Sequence, residues 1–124
     1  MKYLFIPVIG PIREVELPDE CNAFLDRLYE LLNCSSIKNV VIPGGCYYMI
    51  VDECGKVSEP PKLTNIRASP LYGGFPWEYI AGDVIIGKRG LRDGEPDIVG
   101  LSDREIFDFY KFLKLKEILK WKTF

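Results

Sequence analysis

The stretch Tyr79-Ile80-Ala81-Gly82-Asp83-Val84-Ile85-Ile86-Gly87-Lys88 decides the fold of this chain. Val84-Ile85-Ile86 is an uninterrupted, β-branched apolar run between Gly82 and Gly87. A half-exposed strand alternates apolar with polar residues, so a run without alternation reads as a strand buried on both faces. Downstream lies the clearest helix in the sequence, opened by Ser102. A strand and a long helix joined by a turn-rich segment form the expected core of a small α+β domain.

The helix start is written in Leu101-Ser102-Asp103-Arg104-Glu105-Ile106. Ser102 can accept from the amide of residue 105 while Glu105 reaches back to the amide of Ser102, the reciprocal arrangement of a capping box. Leu101 and Ile106 flank it as a hydrophobic staple. Ile106, Phe109, Tyr110 and Leu113 make one stripe at helical spacing, and Phe112, Leu115 and Leu119 widen it. The pattern predicts a helix from Asp103 to about Lys120. Its apolar face is wide for one sheet, which leaves a partner groove as an alternative to full packing within the monomer.

Working outward to the N-terminus, residues 3–17 read as a β-hairpin turning at Gly10-Pro11. Pro18-Asp19-Glu20 opens a helix, with Pro18 or Asp19 near the cap and acids in its first turn. Phe24, Leu25, Leu28, Leu31 and Leu32 form its apolar stripe, and Asn33-Cys34-Ser35-Ser36 ends it. Asn39–Ile42 and Cys46–Val51 are predicted strands around Pro43-Gly44-Gly45, followed by a turn at 52–55 and a short continuation at Lys56-Val57. From Glu59 to Pro76, prolines and glycines interrupt any regular element. Gly87 to Pro96 reads as a Gly- and Asp-rich connection, and 97–100 as a return strand. The expectation is one α+β domain over residues 1–124. It is mainly an antiparallel sheet of hairpins, with one helix in the N-terminal half and one long C-terminal helix packed on it.

Composition narrows function by exclusion. The 124 residues carry a net charge of -2, so no global field draws the chain to nucleic acid or an anionic membrane. The charge is unevenly spread: residues 111–124 sum to +4 and the remainder to -6. Lysines near a helix end complement its dipole, and they also offer a surface to an anion. No apolar run approaches the roughly 20 residues a membrane helix needs. Tyr3-Leu4-Phe5-Ile6 superficially resembles a secretory start, but Pro7, Gly10 and Pro11 break it, so the expected location is cytoplasmic. Cys21, Cys34, Cys46 and Cys54 contain no C-x-x-C pair, so reduced, partly buried thiols are expected rather than a metal site. There is no histidine, which removes the commonest general base and every Ser-His or Cys-His dyad. No catalytic residue and no cofactor are predicted. Neither the carboxylates nor Cys46 and Cys54 have a recognisable activating neighbour.

Two surfaces are candidates for binding. The segment Tyr72 to Tyr79 holds Tyr72, Phe75, Trp77 and Tyr79 among glycines and prolines. Aromatic side chains give large contact area at low entropic cost, which makes these four the predicted partner-binding residues. The competing reading folds Phe75 and Trp77 back to roof the core. The second surface is cationic. Ile86-Gly87-Lys88-Arg89-Gly90 matches the I-G-x-x-G loop by which KH domains clamp a nucleic-acid backbone. That loop joins two helices, and Asp93-Gly94 and Pro96 do not sustain the second. The same residues read as a hairpin turn exposing Lys88, Arg89 and Arg92, which with Lys116 and Lys120 would touch phosphate. The acids Asp52, Glu53, Asp93, Glu95 and Asp97 lack calcium-loop spacing and read as solvated turns.

Several blocks resemble a family of small proteins from Firmicutes, phages and mobile elements, catalogued as domain of unknown function 3846. They are the hairpin Pro43-Gly44-Gly45-Cys46-Tyr47 to Val51-Asp52-Glu53-Cys54-Gly55-Lys56, the run Pro61 to Asn65, Ile80-Ala81-Gly82-Asp83-Val84-Ile85-Ile86-Gly87, and Leu101-Ser102-Asp103-Arg104-Glu105-Ile106. This chain departs from the family pattern in a longer aromatic segment between Asn65 and Ile80 and in its lysine-rich tail. The resemblance implies a mobile-element accessory protein and brings no catalytic residues with it. The functional expectation is a non-enzymatic protein that binds a host protein. The alternative is a small nucleic-acid-binding module built on the basic turn and the C-terminal lysines.

Overall fold

The computed structural model describes residues 1–72 and 78–122, the side chains of 116–122 excepted. In chain order the elements are β1 (Lys2–Ile6), β2 (Arg13–Glu16), α1 (Cys21–Leu32), β3 (Ile37–Val41), β4 (Tyr47–Asp52), a single 3-10 turn (Ser69–Leu71), β5 (Val84–Arg92), β6 (Glu95–Val99) and α2 (Asp103–Lys122). The strands form one six-stranded sheet in the order β2-β1-β5-β4-β3, with β6 paired to β5, and every ladder is antiparallel. This is the expected α+β architecture.

Val84-Ile85-Ile86 occupies the centre, between β1 and β4. Alternation along a strand sends successive side chains to opposite faces, and both faces are covered. Leu4, Ile6, Met49, Val51, Val84 and Ile86 join Ile106, Phe109 and Leu113 of α2 and Ala68, Leu71 and Ile80 of the loop before β5. Tyr3, Phe5, Ile50 and Ile85 join Phe24, Leu28 and Leu32 of α1 on the other side. Each of those three α1 side chains contributes about 2 kcal/mol by burial.

The local signals explain the helix ends. Ser102 Oγ accepts from the Glu105 amide at 3.1 Å, and Glu105 Oε1 accepts from the Ser102 amide at 2.9 Å, completing the capping box. Leu101 and Ile106 share one apolar cluster, as a staple requires. At α1 the expected cap moves: Glu20, rather than Pro18 or Asp19, accepts from the amides of Asn22 and Ala23, and no acid lies in the first turn. Asn33 closes α1 in the left-handed conformation at φ 49°.

Two further expectations are corrected. Lys56-Val57 is a turn and not a strand continuation. The segment from Gly87 to Pro96 is not a loose connection. Strand β5 runs through Gly87 to Arg92, and only Asp93 (φ 53°) and Gly94 (φ 80°) form the turn into β6. Positive φ at both positions gives the twist that a two-residue hairpin needs. Strand β1 pairs with Val84–Ile86 and β6 with Lys88–Arg92, both along the edge of β5 away from β4. The end of β6 then reaches β1, where the Leu101 amide donates to Lys2 O at 2.7 Å.

Gly87 marks this junction. A Cβ there would lie 2.5 Å from Ile98 Cγ2, 2.9 Å from Val99 O and 3.1 Å from Tyr3 Cε1. The backbone approach therefore excludes a side chain. Gly87→Ala should destabilise the domain by about 1–3 kcal/mol. Urea denaturation checks this, and a midpoint equal to the parent's would show that the junction relaxes freely.

Candidate functional site

The predicted partner-binding residues lie on the connection between β4 and β5. Lys62 fixes its first half. Its ammonium donates to Leu32 O at 2.7 Å and Asn33 O at 3.0 Å, and pairs with Asp52 Oδ2 at 2.9 Å. These three acceptors use all three of its protons and satisfy carbonyls at the end of α1.

Asn65 fixes the middle and is fully buried. Its Nδ2 donates to Ile6 O at 2.9 Å and Gly82 O at 3.1 Å, while Oδ1 accepts from the amides of Arg67 and Ala68. The side-chain amide is thus saturated by four backbone groups, one of them in β1. Thr64 bridges Ala81, and the Asn65 amide donates to Ile80 O. Buried Ser69 accepts from the Ile80 amide at 2.9 Å. Arg67 donates to Pro7 O and Gly10 O, so the loop is also tied to the β1–β2 turn.

On this anchored loop Tyr72 is half-buried against the core, and its hydroxyl donates to Glu78. That carboxylate holds the Tyr72 hydroxyl above its usual range. Tyr79 is exposed, with the Lys56 ammonium 4.3 Å from its ring centroid. Phe75 and Trp77 lie outside the described residues. Sequence reading missed the neighbours of these aromatics. Val57, Leu63 and Ile66 are at least 59% exposed and belong to the same connection.

The predicted cations do not form one exposed cluster. Arg92 is 8% exposed, because strand alternation turns it inward where a hairpin turn would have exposed it. Its Nε meets Asp97 Oδ2 at 2.9 Å, Nη2 donates to Ile98 O and Tyr3 Oη, Nη1 donates to Asp19 O, and the guanidinium lies 4.2 Å from the Phe24 ring centroid. Lys88 pairs with Glu105 at 3.0 Å, and Arg89 is exposed. The side chains of Lys116 and Lys120 lie outside the described residues. Two of the acids are likewise paired, Asp52 buried and Asp97 part-exposed. Asp52 is bound to Lys62 and the Cys54 amide, and Asp97 to Arg92. Of the cysteines only Cys34 is partly buried, which pushes its thiol up, while Cys21, Cys46 and Cys54 are exposed. Among the described residues, no three Cys, Asp or Glu side chains converge to hold a metal ion. No described helix is long and apolar enough to cross a membrane.

The most perturbed charge is Glu105. Burial pushes its carboxyl up, but hydrogen bonds from the Ser102 amide, the Tyr47 hydroxyl and Lys88 outweigh this and hold it at about 2. Tyr47 donates at 2.7 Å and is pushed up to about 12 by that bond. An acid near 2 and a phenol near 12 are poor proton carriers at neutral pH. The trio instead ties β4, β5 and α2 together.

Two predictions follow from these anchors. Asn65→Ala would strand four backbone groups, three of them in buried hydrogen bonds, and should cost about 3 kcal/mol or more in urea denaturation. A loss below about 1 kcal/mol would show that the loop re-satisfies them. Because the folded carboxyl of Glu105 lies below its ordinary value of 4.5, its contribution is complete above that pH and is lost as pH falls through about 2. The parent should therefore lose about 2–3 kcal/mol across that interval that Glu105→Gln does not lose. Parallel pH profiles would assign the acid lability to another group.

The chain matches no protein-family model, no curated protein and no solved structure.

Proposed function

We propose that this chain is a non-enzymatic accessory protein that binds a host protein through the apolar outer surface of the β4–β5 connection. The observation that carries this reading is a contrast within one loop. Asn65 and Ser69 hold its inner side with saturated buried hydrogen bonds, while Leu63, Ile66 and Tyr79 are left in water on its outer side. A preorganised backbone spares the ordering cost of binding, and exposed apolar and aromatic groups supply the contact. Tyr72 and Tyr79 bound the Gly-Gly-Phe-Pro-Trp segment, which carries two more aromatic residues in the sequence. The absence of histidine and the full engagement of Glu105 and Tyr47 argue for binding over catalysis. The resemblance to the mobile-element family supplies the setting, an accessory protein acting on its host.

The test is a pull-down of the full chain from host lysate, with and without nuclease. A stoichiometric protein should be retained after nuclease. The double substitution Ile66→Ser with Tyr79→Ala should reduce its capture by about tenfold or more. The stability of this variant should stay within about 0.5 kcal/mol of the parent. Undiminished capture would move the binding surface off this loop. Retention that vanishes with nuclease would favour nucleic-acid binding through Arg89 and the C-terminal lysines.

A further inference from the structure

We propose that α2 associates with the α2 of a second copy of this chain through a self-complementary stripe, Asp103, Phe107, Tyr110 and Lys114. The spacing of four, three and four residues places these side chains along one flank of the helix. Ile106, Phe109 and Leu113 turn toward the sheet, whereas Phe107 and Tyr110 remain exposed. The stripe reads acid, aromatic, aromatic, base, and it reads the same backwards with the charges exchanged. Laid antiparallel about a two-fold axis, Asp103 meets the partner's Lys114, Phe107 meets the partner's Tyr110, and both contacts recur at the other end. An isologous interface requires this kind of self-complementarity. Antiparallel helices also oppose their dipoles favourably.

The surroundings of Asp103 fit the added cation. Lys2 pairs with both Asp103, at 3.0 Å, and Glu14, at 3.6 Å. Arg13 lines the same rim, so its two acids face two bases. Asp103 nevertheless stays 83% exposed, open to the partner's Lys114. Lys114 itself lies with its ammonium 5.4 Å from the Tyr110 ring centroid, so the charge already sits at the end of the aromatic pair. Beside the stripe, between α2 and the β1–β2 hairpin, runs an open groove of about 480 Å³ lined by Leu4, Arg13, Ile106, Phe107 and Tyr110 among others. It has room for the partner's Phe107 ring. The stripe spans about 16 Å of helix, a contact at the small end of specific interfaces, so the dimer is weak and exchanging. This surface is separate from the β4–β5 connection, and the two readings fail independently.

Sedimentation equilibrium of the full chain tests the inference, with the urea midpoint of each variant measured alongside. The parent should dimerise with a dissociation constant of roughly 10–100 µM. Phe107→Ser should be monomeric at all these concentrations with an unchanged urea midpoint. Asp103→Lys alone sets bases against bases, and Lys114→Glu alone sets acids against acids, so each should be monomeric. Mixed in equal amounts, the two variants present opposite charges at both ends and should form a heterodimer. A parent that stays monomeric at about 1 mM would overturn the proposal. So would a Phe107→Ser dimer, or a mixture of folded charge variants that fails to associate.

Discussion

A central strand buried on both faces obliges the chain to cover two apolar surfaces, and the rest of this fold follows from how it does so. Helix α1 covers one face with Phe24, Leu28 and Leu32. The opposite face is shared between α2 and the connection before β5. Irregular backbone can cover a core only if its polar groups are satisfied. Asn65, Ser69 and Lys62 meet that condition by taking up carbonyls and amides of β1, α1 and the loop itself. What serves as a second covering layer is therefore a loop held by side-chain hydrogen bonds.

The charged residues tell a similar story. Glu105, Lys88 and Tyr47 join a helix start to two strands. Arg92 joins β5 to β6 and to the segment before α1. Removing one partner leaves the other without its counter-charge, most severely at buried Arg92, so these residues act as fasteners whose value lies in geometry. Exposed apolar side chains lie apart from them: Ile66 and Tyr79 on the loop, Phe107 and Tyr110 on α2.

The legible parts of the sequence were those with strong local signals. The Val84–Ile86 run, the Ser102–Glu105 box and the α1 stripe each depend on residues within a few positions of one another. The β5–β6 hairpin was obscured because Gly87 and Gly90 look like breakers, although their lack of a side chain is what lets Ile98 and Val99 approach. Asp93-Gly94 is a standard hairpin pair, and that signal was present. The inward turn of Arg92 is not legible, because charge alone reveals neither strand alternation nor a waiting Asp97. The role of Asn65 was invisible, since its partners Ile6 and Gly82 are distant or on the far side of a loop. Within the candidate site, the aromatics at 72 and 79 stand out by composition. The exposed Leu63 and Ile66 do not, because a single apolar residue carries no mark of whether it ends inside or outside.

The register of β1 against β5 also bears on how the molecule is made. Leu4 pairs with Ile86, so the first strand finds its central neighbour about eighty residues later in the chain. During synthesis β1, β2, α1, β3 and β4 all emerge before the strand that joins their two hairpins exists. The edges of β1 and β4 that pair with β5 stay open until Val84–Ile86 is made. Such non-local closure slows folding and prolongs exposure of unpaired edges. In the nascent protein, the same residues that make the finished core secure are the ones most in need of protection.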